Sequence, residues 1–323
     1  MHRFTSLLAS LLVASGTAMA ATDYPTQPIT VLVPHAAGGP TDTVARLVAE
    51  SMSRTLGQQL LVENAGGAGS TLGTARASRA EPDGYTLLLN HVAQASSATL
   101  YRKLSYDPVD GFAGIGLITD VPMTIVARAD FAPSTIAELL DYVRANKENV
   151  TYAHAGIGSA SHLCGMLFMD AIDVPLTTVP YKGTGPAMTD LLGGQVDMMC
   201  DQTTNTVTQI KSGKIKGYAV TTTERLPVLP DLPTLNEAGL DGFEMTVWHA
   251  LYAPAGTPQE ILDKLAGALQ VALQDPKVIE RFAQLGTVPV PLDEATPAAL
   301  DAHLKAEVAK WKPIIEAAGA YAD

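Results

Sequence analysis

The sequence predicts an α/β fold in two lobes joined by two long crossing strands. Three observations lead there. Short apolar runs alternate with segments of helical period, the alternation occurs in two separate series, and each series gives way to a long extended run, at residues 114–130 and 243–258.

In chain order, "ITVLVP" (29–34) reads as a strand, "DTVARLVAESMSRTLG" (42–57) as an amphipathic helix and "QLLVEN" (59–64) as a second strand. The glycine loop "AGGAGS" (65–70), the helix "LGTARASRA" (72–80), the turn "EPDG" (81–84) and the strand "YTLLLN" (85–90) complete the first series. The run "GIGLITDVPMTIVARAD" (114–130) is nearly continuous and extended. A second βα series follows: "VTYAHAGIGS" (150–159) into "ASHLCGMLFMDAI" (160–172), "LTTVPYKGTG" (176–185) into "PAMTDLLGGQ" (186–195), and "VDMMCDQTT" (196–204) into "NTVTQIKSGK" (205–214), before "IKGYAVTT" (215–222). After the second crossing, "FEMTVWHALYAPAGTP" (243–258), helices are expected over 258–274, 275–286 and 295–319. The chain thus enters a second lobe near Asp120 and returns near Gly242, giving lobe 1 as 21–119 with 243–323 and lobe 2 as 120–242. The C-terminal helices are expected to pack back onto the first lobe.

The N-terminus, "MHRFTSLLASLLVASGTAMA", has one arginine, a short apolar run and a small-x-small pattern at Ala18-Met19-Ala20. It reads as a secretory signal over residues 1–20, with a mature chain from Ala21 in the periplasm. The formal net charge of −12 argues against nucleic acid and anionic membranes as partners, because both reward clustered lysine and arginine. Cys164 and Cys200 are the two cysteines; export admits one disulfide between them, and two buried thiols are the alternative.

In open α/β sheets ligands sit beyond the carboxyl ends of the strands. Six loops lie there: "HAAGGPTD", "ENAGGAGS", "NHVAQAS", "HAGIGSASH", "YKGTGPA" and "CDQTTNT". Four are rich in glycine and small hydroxyl residues. Several helix N-termini converging on one volume would hold a carboxylate or another anion through N–H donors, with Lys182 the only lysine or arginine in these loops. A nucleotide reading fails on spelling: the turn lacks G-x-G-x-x-G, although Glu63 stands where a ribose acid would, and no lysine follows Gly39 as a P-loop requires. Gly38-Gly39 is otherwise a simple tight turn. Asp42 either caps the helix or meets the ligand, and Asp201 either meets a ligand ammonium or braces the hinge.

Catalytic signatures are sparse. There is no G-x-S-x-G, H-E-x-x-H or C-x-x-C. Ser161-His162 invites a nucleophile–base reading, but adjacent residues on a helix point about 100° apart. Cys164 beside His162 is the other nucleophile a secreted hydrolase would use. His35, His91, His154 and His162 lie on separate loops without metal-ligand spacing, and Trp248 reads as packing at the return crossing.

The segments "YPTQPITVLVPHAAGGPTDTVAR", "LVENAGGAGSTLGT", "DGYTLLL", "VPYKGTGPAMTDLLGGQVDMM", "LPDLPTLNEAGLDGFE" and "LYAPAGTPQEI" resemble the Bug (TctC-like) family across essentially the whole mature chain. These are periplasmic solute receptors of tripartite tricarboxylate transporters. The resemblance implies a type II-like Venus-flytrap receptor, monomeric, without cofactor, metal or catalytic residues. It would pass a small carboxylate to the membrane permease subunits; a sensory receptor subunit is the other reading. It assigns ligand contacts to Ala36, Ala37, Gly38, Gly39 and Thr41 in the first lobe and to Gly158, Ser159, Ala160 and Ser161 in the second. Asp42, His91, His162, Thr184 and Asp201, on the same loops, complete the candidate set. "SHLCG" with "MMCDQTTNT" looks most like the branch containing an aspartate receptor, which favours an amino dicarboxylate or a C4 dicarboxylate. The chain departs from the family at His35, where phenylalanine is frequent, and at "NHVAQAS".

Overall fold

The computed structural model describes residues 23–322. The expected signal segment lies outside the described residues. Among the described residues no helix is long and apolar enough to cross a membrane.

The first series forms β1 (Ile29–Val33), α1 (Pro40–Leu56), β2 (Leu60–Asn64), α2 (Thr71–Ser78) and β3 (Thr86–His91), with β1 parallel to both β2 and β3. The loop expected at "NHVAQAS" instead becomes a helix, α3 (Ala93–Leu100). Its residues are small and buried on nearly every side, so no amphipathic stripe announced it. The long crossing β4 (Phe112–Arg128) leads to α4 (Ile136–Asn146), a helix closed by a capping box between Thr135 and Glu138.

The second series comprises β5 (Thr151–His154), α5 (Ala160–Ile172), β6 (Thr177–Pro180), α6 (Thr184–Leu192), β7 (Met198–Gln202), α7 (Thr203–Lys211) and β8 (Ile215–Val220). Strand β9 (Thr246–Pro254) returns, followed by α8 (Gln259–Leu273), α9 (Pro276–Gln284) and α10 (Pro297–Ala318).

Among the described residues all nine strands join one sheet, in the order β2-β1-β3-β9-β4-β7-β5-β6, with β8 also on β4. The two crossings run antiparallel to each other from Phe112↔Pro254 to Pro122↔Thr246. From Met123 onward β4 changes partners and pairs with β7, then β8 joins it from Thr124. One strand therefore serves both halves, which explains its near-continuous apolar sequence: it is buried along most of its length. One apolar cluster follows β4 and β9 from Leu32, Leu88 and Trp311 at one end to Tyr152, Phe168 and Phe243 at the other. A second fills the first lobe between α1, α8 and the sheet, and a third lies beneath α6. Of the C-terminal helices, α8 packs against α1 and α10 against α3 and β4. Trp248 is buried there, donating to Glu307 at 3.1 Å, so it packs the crossing as its sequence position suggested.

Candidate functional site

The strand–loop–helix units of both lobes deliver their helix starts to one small cavity of about 20 Å3. It is lined by His35, Gly39, Pro40 and Thr41 at the start of α1 and by His91 at the end of β3. The second lobe supplies Ala155, Ser159, Ala160 and Ser161 around the start of α5, Thr184 of α6, and Asp201 and Gln202 of β7. Helices α1, α6 and α7 begin at Gly39, Gly183 and Gln202 with no side-chain cap. Of the four helices that start at the cavity, α5 alone is capped from a side chain, by Ser159 Oγ accepting from His162 N at 3.3 Å. First-turn N–H groups have no intrahelical acceptor, and they carry the positive end of the helix dipole. Among the described residues no lysine or arginine lines the cavity. Its affinity for anions therefore rests on backbone donors.

The lobes touch around this volume. Ala36 N donates to Lys182 O at 3.2 Å, and Ser96 Oγ donates to Gly158 O at 3.0 Å. Tyr101 Oη lies 2.9 Å from Ala68 O and 3.0 Å from Ile157 O. A Cβ added at Gly39 would sit 3.4 Å from Thr184 Oγ1, which places the starts of α1 and α6 within van der Waals reach of each other.

Of the residues expected from sequence, Gly39, Thr41, His91, Ser159, Ala160, Ser161, Thr184 and Asp201 line the cavity. Ala36, Ala37, Gly38, Asp42, Gly158 and His162 do not. Ala36 and Ala37 face the closing contact with Lys182 and Gly185. Asp42 turns back onto its own loop, accepting from Gly38 N and from Arg46 Nε, each at 3.0 Å. Burial raises its carboxyl, but Arg46, Gly38 N and Asn64 outweigh that and hold it below the usual range. Gly158 adopts φ +82° and donates its N–H to His162 Nδ1 at 3.3 Å, so both serve the loop.

The Ser161-His162 dyad does not form. Ser161 Oγ accepts from Ala155 N at 2.8 Å and lies 3.2 Å from Ser159 Oγ, while His162 Nδ1 is occupied by Gly158. Cys164 is joined to Cys200 in a disulfide, which withdraws it as a nucleophile. Glu63, the decoy ribose acid, pairs with Arg76.

Sequence reasoning left His35 and Gln202 out of the candidate set. His35 stood out on the chain as one of four histidines without metal-ligand spacing and as a departure from the family pattern, not as a ligand contact. In the structure its ring stacks on His91, centroids 4.4 Å apart and 19° from parallel, and His249 meets His91 edge-on at 5.6 Å. Burial lowers His35 to about 4 and His249 to about 3, and holds His91 well below its usual value. The stack is thus neutral at pH 7. His91 Nδ1 accepts from Ala93 N at 3.1 Å, which leaves its proton on Nε2. Among the described residues no group of three or more His, Cys, Asp or Glu is placed to hold a metal ion.

Asp201 is the one acid in the wall. Its carboxylate accepts from Gln202 N at 2.8 Å and from Asn205 Nδ2 at 2.5 Å. Burial pushes it up to about 7 against those bonds and one from Thr184.

The family model for the tripartite tricarboxylate transporter family receptor matches residues 44–320. The UPF0065 protein in the TAR-I ttuE-ttuC' intergenic region of Agrobacterium vitis is 56% identical over 317 residues, covering 98% of this chain and 92% of that protein. Among solved structures, the periplasmic binding protein BugD aligns with a TM-score of 0.90 at 53% identity, over 92% of this chain and 99% of its own. MatC (Rpa3494) from Rhodopseudomonas palustris with bound malate aligns with a TM-score of 0.87 at 41% identity, over 90% and 100%.

Proposed function

This chain belongs to the tripartite tricarboxylate transporter receptor family, and from that premise we propose that it binds a C4-type dicarboxylate or acidic amino acid in the periplasm and presents it, as a monomer, to its membrane permease subunits. The signal segment 1–20 would carry it there, and the two lobes, 21–119 with 243–323 and 120–242, would part and close on the solute. One observation carries the reading: four helix starts from two lobes meet at one cavity whose wall holds no lysine or arginine. Such a wall suits carboxylates held by N–H groups and bridging waters. Malate in MatC supports the size class. We assign the carboxylate contacts to Gly39 and Thr41 on one side and to Ser159, Ala160, Ser161 and Thr184 on the other.

A cavity of about 20 Å3 is far below the roughly 300 Å3 of common ligand pockets. Solute entry therefore requires the lobes to separate, and the solute stabilises the form that encloses it. Thermal unfolding of the exported protein tests this directly. Aspartate, glutamate, succinate, malate, citrate, nicotinate and terephthalate are compared at neutral pH. At a hundredfold excess over Kd the gain is about 2.7 kcal/mol, a plain rise in Tm. Aspartate or a C4 dicarboxylate should lead. No rise with any small acid overturns the proposal.

A further inference from the structure

Among the described residues, two polar atoms in the cavity wall have no hydrogen-bond partner, His35 Nε2 and Gln202 Oε1, although the His35 ring also interacts with the Asn90 side chain. Both side chains are more than nine-tenths buried, at 6% and 3% exposure. They come from opposite lobes, His35 from the loop after β1 and Gln202 from the end of β7. A buried polar group left unpaired is costly, so what meets these atoms in the bound state matters to affinity.

With the Gln202 amide oriented as it is in the structure, a carboxylate alone does not meet this requirement. An ionised carboxylate only accepts hydrogen bonds, and an amide oxygen such as Gln202 Oε1 only accepts them too. The partner of Gln202 Oε1 must bring a proton of its own. The neutral imidazole of His35 can meet the same group, accepting or donating according to its tautomer. Asp201, beside Gln202 in the sequence and in the wall, adds a further acceptor when ionised.

We propose that His35 and Gln202 are specificity-determining residues that read a hydrogen-bond-donating substituent, hydroxyl or ammonium, on the carbon chain of the dicarboxylate. The proposal rests on the dicarboxylate reading above and names which dicarboxylates the site selects. His35 suits the task because its ring is held flat against His91, so its orientation is fixed before the solute arrives. A site built to bond a substrate hydroxyl or N–H group discriminates strongly against an analogue that lacks it, since the wall then keeps its unpaired atoms.

Calorimetric titration of the exported protein with succinate, malate and aspartate tests this, as the three share a four-carbon diacid skeleton and differ in one substituent. Malate, aspartate or both should bind at least ~100-fold tighter than succinate. Malate alone identifies a hydroxyl as the feature read, and aspartate alone identifies an ammonium. His35→Phe keeps an aromatic ring against His91 but removes the nitrogens; it should cut that preference at least ~10-fold, through weaker binding of the substituted acid, tighter binding of succinate, or both. Gln202→Met, which keeps the volume, should do the same, and it carries the test alone where His35→Phe lowers the melting temperature of the unliganded protein. Equal affinity for all three acids, as expected if ordered water satisfies both atoms beside succinate, overturns the proposal and leaves the dicarboxylate reading standing. So does an equal loss for all three acids in the variants. Failure of all three to bind overturns both.

Discussion

Asp201 lies in the cavity wall with its carboxyl pushed up to about 7 by burial, opposed by bonds from Asn205, Gln202 N and Thr184. Its charge near neutral pH therefore depends on what the solute brings. A solute with two carboxylates and no ammonium favours the protonated carboxyl, so binding takes up a proton and affinity must fall as pH rises above about 7. An ammonium favours the ionised form, binding releases a proton, and affinity must rise with pH toward the same point. Burial holds His35 and His91 in the same wall, and His249 against His91, neutral above pH 6, so they do not blur the sign. We expect Kd for succinate or malate to climb toward tenfold per pH unit between pH 7 and 8.5, and Asp201→Asn to flatten the profile. The same variant should weaken aspartate by ~1.5–3 kcal/mol and leave succinate nearly unchanged at neutral pH. Titration at three pH values decides it; a flat wild-type profile for every acid means that Asp201 keeps one protonation state throughout. Residues like this were legible because glycine loops and strand ends mark them on the chain. His35 and Gln202 were not, since a lone histidine before a turn and a glutamine after an aspartate gain meaning only when His91 and the opposite lobe arrive beside them.

Helix α5 and strand β7 form two walls of the cavity, and their covalent tie is the clearest case of an element placed by chemistry outside the hydrophobic pattern. Cys164 lies one turn into α5 and Cys200 immediately precedes Asp201, with Cα atoms 6.1 Å apart. Tyr152 spans the same joint, its hydroxyl donating to Ser161 O at 2.8 Å and accepting from Cys200 N at 3.0 Å. Gly165 in α5 leaves room for that ring, which a Cβ would strike. The bridge closes a separation of 36 residues, for which the chain-entropy view gives about 4 kcal/mol. Replacing both cysteines by alanine should therefore lower unfolding stability by ~2–5 kcal/mol in urea and weaken the solute, because Ser161 and Asp201 lose a common anchor. An unchanged urea midpoint would show that the core alone fixes the joint. Most elements were legible from period: α1 and α8 carry apolar stripes, and β4 and β9 are long because both faces are covered. Helix α3 was not, since "AQASSATL" is uniformly small and is held helical by α10 packed over it. The choice between a disulfide and two thiols also lay beyond the sequence, because it depends on the approach of α5 to β7.

At the scale of the molecule the two lobes share β4, β9 and one apolar cluster that runs along them. The opening proposed above would then be a bend of the paired crossings and not a separation of independent cores. What limits closing is local and lies at the helix starts. Gly185, the second residue of α6, faces the loop before α1: a Cβ there would lie 2.7 Å from Ala37 O, 3.3 Å from the carbonyl carbon of Gly38 and 3.4 Å from Gly39 N. All three neighbours belong to the other side of the cleft, and all are backbone atoms that cannot swing aside. Alanine suits a helix better than glycine, by up to about 1 kcal/mol in a helix interior, so Gly185→Ala costs nothing within its own lobe. The substitution acts only on the closed form. Because a solute shifts the equilibrium only by its differential affinity for the two forms, raising the closed form in energy must weaken binding even though no solute contact is touched. We expect Gly185→Ala to melt at or above the wild-type temperature without solute, to bind the leading dicarboxylate at least ~10-fold more weakly, and to show less compaction on its addition by small-angle X-ray scattering. Wild-type affinity with full compaction would mean that α6 and the first-lobe loop slide past each other at no cost, and that closure is set by the crossings alone.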